Sequence, residues 1–183
     1  MLIKRKVGDN IFYTKDSIRA YYEGYIDGLL QTETDTYSIV RNNDKFGFYD
    51  FYYKDKLTNK TYLIETKIRY KFFNDILLQK KKVDSAKEYY EANKIDGFIV
   101  IYLFMLKYKK DNLDIKEGGY LIVNLTDYLS GEKDYSKVEM KETESTINGK
   151  VVSEVIIFDY TKFKYKFCDI YTCNITNDIS SVL

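Results

Sequence analysis

Residues 97–106, Gly-Phe-Ile-Val-Ile-Tyr-Leu-Phe-Met-Leu, form an uninterrupted apolar run in a chain that is 31% charged. The run is too short to span a bilayer, which takes about 20 residues as a helix. It matches a strand buried on both faces, with other layers packed on each side of its sheet. Ahead of it the pattern predicts a strand over 61–69 and a helix over 75–92, with Asn74 as the cap. Strand, helix and strand in that order imply a right-handed crossover and a parallel pair.

The strand over 61–69 has an earlier partner. Residues 45–53 are rich in Phe and Tyr, and residues 54–60 are polar and carry the turn formers Asp55 and Asn59. A hairpin with a four-residue loop over 56–59 pairs Asp55 with Lys60, which brings Asp50 opposite Glu65. The side-chain period of two then puts Leu63, Glu65 and Lys67 on one face, and Tyr62, Ile64, Thr66 and Ile68 on the other. Asp50, Glu65 and Lys67 converge on one patch. Two facing carboxylates repel unless a cation or a proton lies between them. A hard divalent ion such as Mg²⁺ suits them, because it takes oxygen donors and keeps waters and phosphate oxygens in its shell. The Lys67 ammonium can orient a water or hold a phosphate. The plainer reading of Glu65 and Lys67 is an exposed ion pair on an ordinary hairpin.

The series Tyr49-Asp50 … Glu65-Thr66-Lys67 resembles the signature of the PD-(D/E)xK, or restriction-endonuclease-like, nucleases. Asp50 matches the motif aspartate, with Tyr49 where proline is common, and Glu65 and Lys67 match the (D/E)xK. The resemblance implies an α/β fold with an α-β-β-β-α-β mixed sheet flanked by helices over about 15–106, and a β-rich extension over 107–183, all in one domain. It implies a Mg²⁺-dependent DNA endonuclease, of restriction or Holliday-junction-resolvase type, with Mn²⁺ as a substitute ion and a homodimer as the working unit. Asp50, Glu65 and the backbone carbonyl of Thr66 would hold the metal, Lys67 would position or deprotonate the water, and Gln79 would assist. The alternative is a catalytically silent module of the same fold that binds nucleic acid or a protein partner.

Further candidates follow from placement. A helix from about Thr14 or Asp16 to Leu30 has Ile18, Tyr22, Tyr25 and Leu29 as its apolar stripe. Relatives often carry an acid on this helix near the metal, and Glu23 is the candidate here. It lies off the stripe, as does Asp27, and a solvated acid is the simpler reading of both. Asp44 is a rival for the motif aspartate, with a turn residue as the plainer reading. On the later helix, Phe72, Ile76, Val83, Ala86 and Tyr90 form the stripe. Gln79 falls inside it, either as a buried amide or as a group aimed at Glu65 and Lys67. Lys80, Lys81 and Lys82 are either a solvated face or, with Lys67, Arg69 and Lys71, one bank of a phosphate-binding groove.

Composition removes other chemistries. The chain has no His, which excludes Ser-His-Asp and Cys-His nucleophile systems and His-ligated metals. Cys168 and Cys173 are too few for a zinc site and read as reduced thiols. No apolar segment follows the first six residues, so no signal peptide is expected and the reading is cytoplasmic, in a bacterial or phage-infected cell. No phosphate-loop or dinucleotide fingerprint appears, so no nucleotide cofactor is expected. A net charge of +1 requires that any nucleic-acid contact use a local basic patch.

Beyond 107, a strand is predicted over 120–125, and a hairpin over 138–144 and 150–158 around Asn148-Gly149. Over 161–167 lysines alternate with aromatics, as in a lysine-guarded edge strand or a basic ribbon along a phosphate backbone. Residues 174–183 read as a fraying end.

Overall fold

In the computed structural model of the chain, the described residues are all but 1–4, 8–9, 13–14, 45–46, 70–71, 105–107, 111–112, 116–117, 135, 146–148 and 170–173. An antiparallel pair, β1 (Arg5–Val7) and β2 (Asn10–Phe12), precedes helix α1 (Lys15–Leu30). Five strands follow: β3 (Thr32–Glu33), β4 (Tyr37–Arg41), β5 (Phe51–Asp55), β6 (Thr61–Arg69) and β7 (Asp75–Gln79). Helix α2 (Lys80–Glu91) then leads to β8 (Gly97–Phe104). After the small pair β9 (Tyr108–Lys110) and β10 (Leu113–Ile115) come β11 (Gly119–Asn124) and the one-turn helix α3 (Thr126–Leu129). The chain closes with β12 (Ser136–Ser145), β13 (Gly149–Asp159), β14 (Lys164–Asp169) and helix α4 (Ile175–Val182).

The main sheet has the order β14-β11-β8-β6-β5-β4-β3. Among the described residues its one parallel contact is β6 with β8, joined by the crossover that carries α2. A second, antiparallel sheet has the order β12-β13-β7. All eight residues of β8 are buried, because both faces of that strand are covered. Ile99, Ile101 and Leu103 pack with Tyr22, Ile26 and Leu30 of α1 and with Ile175, Ile179 and Val182 of α4. Phe98, Val100, Tyr102 and Phe104 pack on the other side with Val83 and Ala86 of α2 and with Ile76, Leu78, Ile156 and Phe158 of the second sheet. Two helices thus cover one face of the main sheet, and a helix with a smaller sheet covers the other.

The β5–β6 hairpin has the predicted register, with Phe51 opposite Ile64 and Lys54 opposite Thr61. Local chemistry closes it. The Asp55 amide donates to the Lys60 carbonyl at 2.9 Å. The Asp55 carboxylate accepts from the Leu57 and Thr58 amides at 2.8 and 3.1 Å, and Asn59 takes the left-handed conformation at φ 60°.

Several expectations are corrected. The stretch predicted as the start of the second helix is β7, and α2 begins only at Lys80. Ile76 and Leu78 therefore follow a strand's period of two, not a helical stripe. The cause is tertiary: β13, far along the chain, pairs with β7 from Asp75 to Gln79. Asn74 accordingly caps no helix. In α1 the buried set is Tyr22, Ile26 and Leu30, with Tyr25 half-buried and Leu29 at 36% exposure; the side chain of Ile18 lies outside the description. Residues 160–162 form a 3₁₀ turn, and the lysine-bearing strand begins at Lys164 as the edge of the main sheet. The end predicted to fray is α4. Asn174 caps it by accepting from the Thr176 and Asn177 amides, and Ile175, Ile179 and Val182 fall on one face. Among the described residues no helix is long and apolar enough to cross a membrane.

Candidate functional site

The hairpin ladder between β5 and β6 stops at Phe51 and Ile64, while β6 runs on beside β8 to Arg69. Past that point one edge of β6 has lost its strand partner, and Asp50 caps it. The Asp50 amide donates to the Ile64 carbonyl at 2.8 Å. Its Oδ2 accepts from the Thr66 amide and from the Thr66 hydroxyl, both at 2.6 Å. A carboxylate thus replaces the strand partner, and it stands where the two strands separate.

Glu65, the next residue back along β6, shares the α2 side of the sheet with Leu63 by the side-chain period of two. It is 1% exposed, a carboxylate taken almost fully out of water. Such a charge persists only with partners. Lys67 Nζ, two residues on and on the same face, donates to Glu65 Oε1. Lys82 Nζ, from the first turn of α2, donates to Oε1 at 2.7 Å and to Oε2 at 2.9 Å. Burial, with the Lys82 ammonium adding to it, holds the Lys67 ammonium below its ordinary pKa, while Glu65 and then Asp50 oppose that shift. The Asp50 carboxylate therefore belongs to the same electrostatic cluster as Lys67, Glu65 and Lys82.

Lys82 reaches Glu65 because it adjoins Val83, the first buried residue of α2. Its side chain is 20% exposed. The sequence left it either on a solvated face or among phosphate contacts, and neither pairs it with Glu65. Its position beside the buried stripe was the available signal that it could point inward.

The other predicted residues divide. Gln79 is not inside a helix: it ends β7 opposite Val155 and stands at the N-terminal boundary of α2 without a side-chain capping bond. Among the described residues no hydrogen bond joins it to Glu65 or Lys67. Glu23 is exposed on α1, which covers the Ile64 face, whereas Glu65 lies on the Leu63 face. Asp27 of the same helix pairs with Arg41 of β4. Arg69 is half-buried at the end of β6, and its Nη1 donates to the Ile68 carbonyl at 3.1 Å. Lys80 pairs with Asp84 at 2.7 Å, and Lys81 is exposed. Lys71 lies outside the described residues.

In the loop ahead of Asp50, the described residues Asn42, Asp44, Gly47 and Tyr49 are tied to one another. The Asn42 amide donates to the Asp50 carbonyl at 2.8 Å, and its Nδ2 donates to the Tyr49 carbonyl at 3.2 Å. Asn42 Oδ1 accepts from the Asp44 amide at 3.0 Å. Gly47 closes against this tie, since a Cβ there would lie 2.2 Å from Asn42 Nδ2. Asp44, the rival aspartate, is exposed on this loop. Burial, followed by the hydrogen bond with Tyr52, pushes the Tyr49 phenol well above its usual range, so it stays protonated at neutral pH.

The donor set suits a hard cation. Among the described residues no group of three His, Cys, Asp or Glu side chains gathers, so a metal here would have two carboxylates and would complete its shell with carbonyl oxygen and water. Both Thr66 bonds fall on Asp50 Oδ2, which leaves Oδ1 for another partner. In extended backbone the Thr66 carbonyl points to the same side as its amide, towards Asp50. These oxygens are of the kind magnesium takes, and both Glu65 oxygens accept from lysines that an ion would have to displace.

No protein-family model matches the chain, and no curated protein matches it. Among solved structures, the chain is similar to Archaeoglobus fulgidus Hjc, a Holliday junction resolvase from an archaeal hyperthermophile. That match has a TM-score of 0.38 and 10% sequence identity, and it covers 82% of this chain and 93% of the other.

Proposed function

We propose that the chain is a metal-dependent DNA endonuclease, hydrolysing phosphodiester bonds at the Asp50–Glu65–Lys67 cluster. The observation that carries this reading is the pair of acids at the point where β5 and β6 separate, with the Lys67 ammonium on Glu65 and within the field of Asp50. Asp50, Glu65 and the Thr66 carbonyl are the residues that would hold Mg²⁺ or Mn²⁺. When bound, that ion supplies Lewis acidity at the phosphate and lowers the pKa of a water.

The remaining work belongs to the chain's own groups. Thr66 holds Asp50 by two bonds, so the carboxylate is oriented before a ligand arrives. Lys67 has an ammonium easier to deprotonate than an ordinary lysine's, which suits it to taking a proton from the attacking water. Lys82 shares Glu65 with it, and is the group free to swing to a phosphate oxygen once a cation neutralises that carboxylate. Gln79, Arg69, Lys71, Lys80 and Lys81 are the proposed flanking contacts to the nucleic-acid backbone. Cutting both strands requires two such sites, so the working unit is a homodimer, of restriction or resolvase type.

The test is incubation of supercoiled plasmid and of four-way-junction DNA with the protein and Mg²⁺ or Mn²⁺. Asp50→Asn, Glu65→Gln and Lys67→Ala run alongside. Cleavage by the unmodified chain, lost in all three folded variants, supports the reading. No cleavage of any DNA with either ion overturns it.

A second reading has its own observation. Two ammonium groups already neutralise Glu65. That is the state expected of a silent module that only binds nucleic acid or a protein partner. DNA binding unchanged by divalent ions, without cleavage, would favour it.

A further inference from the structure

A cleft of about 410 Å³ opens beside the cluster, between Asn42, Asp44, Gly47, Phe48 and Tyr49 on one side and α2 on the other. Its size lies within the range of small-ligand pockets, roughly 300–1,000 Å³. Phe48, Tyr49 and Tyr89 supply aromatic wall, and Lys81 and Lys82 supply positive charge. The rings brace one another edge to face: Phe48 lies 5.1 Å from Tyr49 and 5.0 Å from Tyr89, centroid to centroid. Lys82 belongs to both places. It lines the cleft and its Nζ holds Glu65. Tyr49 likewise immediately precedes Asp50, so the cleft and the acid pair share one loop and one helix.

We propose that this cleft receives an unpaired nucleotide adjacent to the cut phosphate, its base against the aromatic wall and its phosphate at Lys81. The inference rests on the nuclease reading only in placing the cut at Glu65 and Lys67. Three features favour a nucleotide over a purely apolar ligand. Aromatic wall and lysine charge occur together, the pairing that single-stranded nucleic-acid sites use. The cleft adjoins a cluster suited to a phosphodiester. The Tyr49 phenol and the exposed Asp44 carboxylate line it as polar partners for a base edge. A base stacked inside a duplex does not reach such a cleft; one at a bulge, a flap or a branch point does. The substrate class is therefore DNA with an unpaired or splayed nucleotide at the cleavage position.

The experiment compares binding in EDTA, where no cleavage occurs. Fluorescence anisotropy measures the Kd for a duplex and for the same duplex with one unpaired 2-aminopurine. The bulged DNA should bind at least about fivefold more tightly, the lower end of what a base–aromatic contact contributes. The 2-aminopurine emission should be quenched on binding. Ser85→Trp, which fills the cleft, and Phe48→Ala, which removes part of its wall, should each bring the affinity ratio towards one. Their folding is checked by thermal melts, and the wild-type quenching stands as a readout independent of both variants. Equal affinities with unquenched emission overturn the proposal. Plasmid cleavage with equal affinities discards the cleft and keeps the nuclease. A fivefold ratio without cleavage under any divalent ion discards the nuclease and keeps the cleft.

Discussion

Lys82 of α2 grips both carboxylate oxygens of Glu65 on β6, at 2.7 and 2.9 Å, and so ties the crossover helix to the central sheet at the candidate site. Lys82→Met removes one of two cations from an acid that is 1% exposed. The expected cost is about 2 kcal/mol, below the usual penalty for breaking a buried pair because Lys67 remains. Glu65→Gln combined with Lys82→Met should cost clearly less than the sum of the two single changes. Urea denaturation of all four proteins checks this; strict additivity would show that the contact carries no coupling.

The Lys67 ammonium is held below its ordinary 10.5 chiefly by burial. The folded chain therefore binds this proton less tightly than the unfolded chain does. Lys67's contribution to stability is lowest below its folded pKa and rises as pH climbs from that value towards 10.5. The ¹³Cε titration of Lys67 should have a midpoint below the ordinary lysine value of 10.5. Lys67→Met should lack the alkaline gain in urea midpoint. The same gain in the variant would refute the assignment.

Asp50→Asn keeps the Thr66 bonds in outline but halves the carboxylate count. Calorimetric titration with Mn²⁺ or Mg²⁺ should show one site in the unmodified chain and at least about a tenfold loss of affinity in the variant, consistent with loss of one charged ligand. Equal uptake by the two proteins would move the metal elsewhere.

Helix α4 covers one face of the main sheet, and Asn174 caps it. Asn174→Ala should cost about 1 kcal/mol. Ile179→Ala, at a fully buried position, should cost about 2–5 kcal/mol. Both are read from thermal or urea melts, and negligible change in Ile179→Ala would mean that the helix does not complete the core.

Lys80 is held by Asp84, whereas Lys81 is exposed. If α2 lies along DNA, Lys81→Gln should reduce the slope of log K against log salt by about one, and Lys80→Gln by less. Equal slopes for both variants and the parent would return these lysines to a solvated role.

The features legible along the chain were those set by neighbours in sequence. Asp55 and Asn59 specify a short hairpin loop, and the loop specifies that Phe51 meets Ile64. The unbroken apolar run of β8 announces a strand covered on both faces, and the lysines of β14 announce an edge. Reading failed where a distant partner overrode local pattern. Residues 75–79 fit a helical stripe, yet pairing with β13 makes them β7. In the first helix Tyr22 faces inward as the pattern predicts, but Ile26 and Leu30 take the inward places assigned to Tyr25 and Leu29, because its tyrosine-rich surface fits two neighbouring stripes.

The same division holds for the candidate site. The Glu-x-Lys spacing alone puts Glu65 and Lys67 on one side of a strand, since alternation is a property of any extended backbone. Folding in three dimensions added Lys82 to Glu65 and bound Asp50 to Thr66. No periodicity encodes those contacts. Hydrogen bonds and ion pairs depend on distance through space, and that distance is set by where β5 leaves β6 and by the late start of α2 after β7.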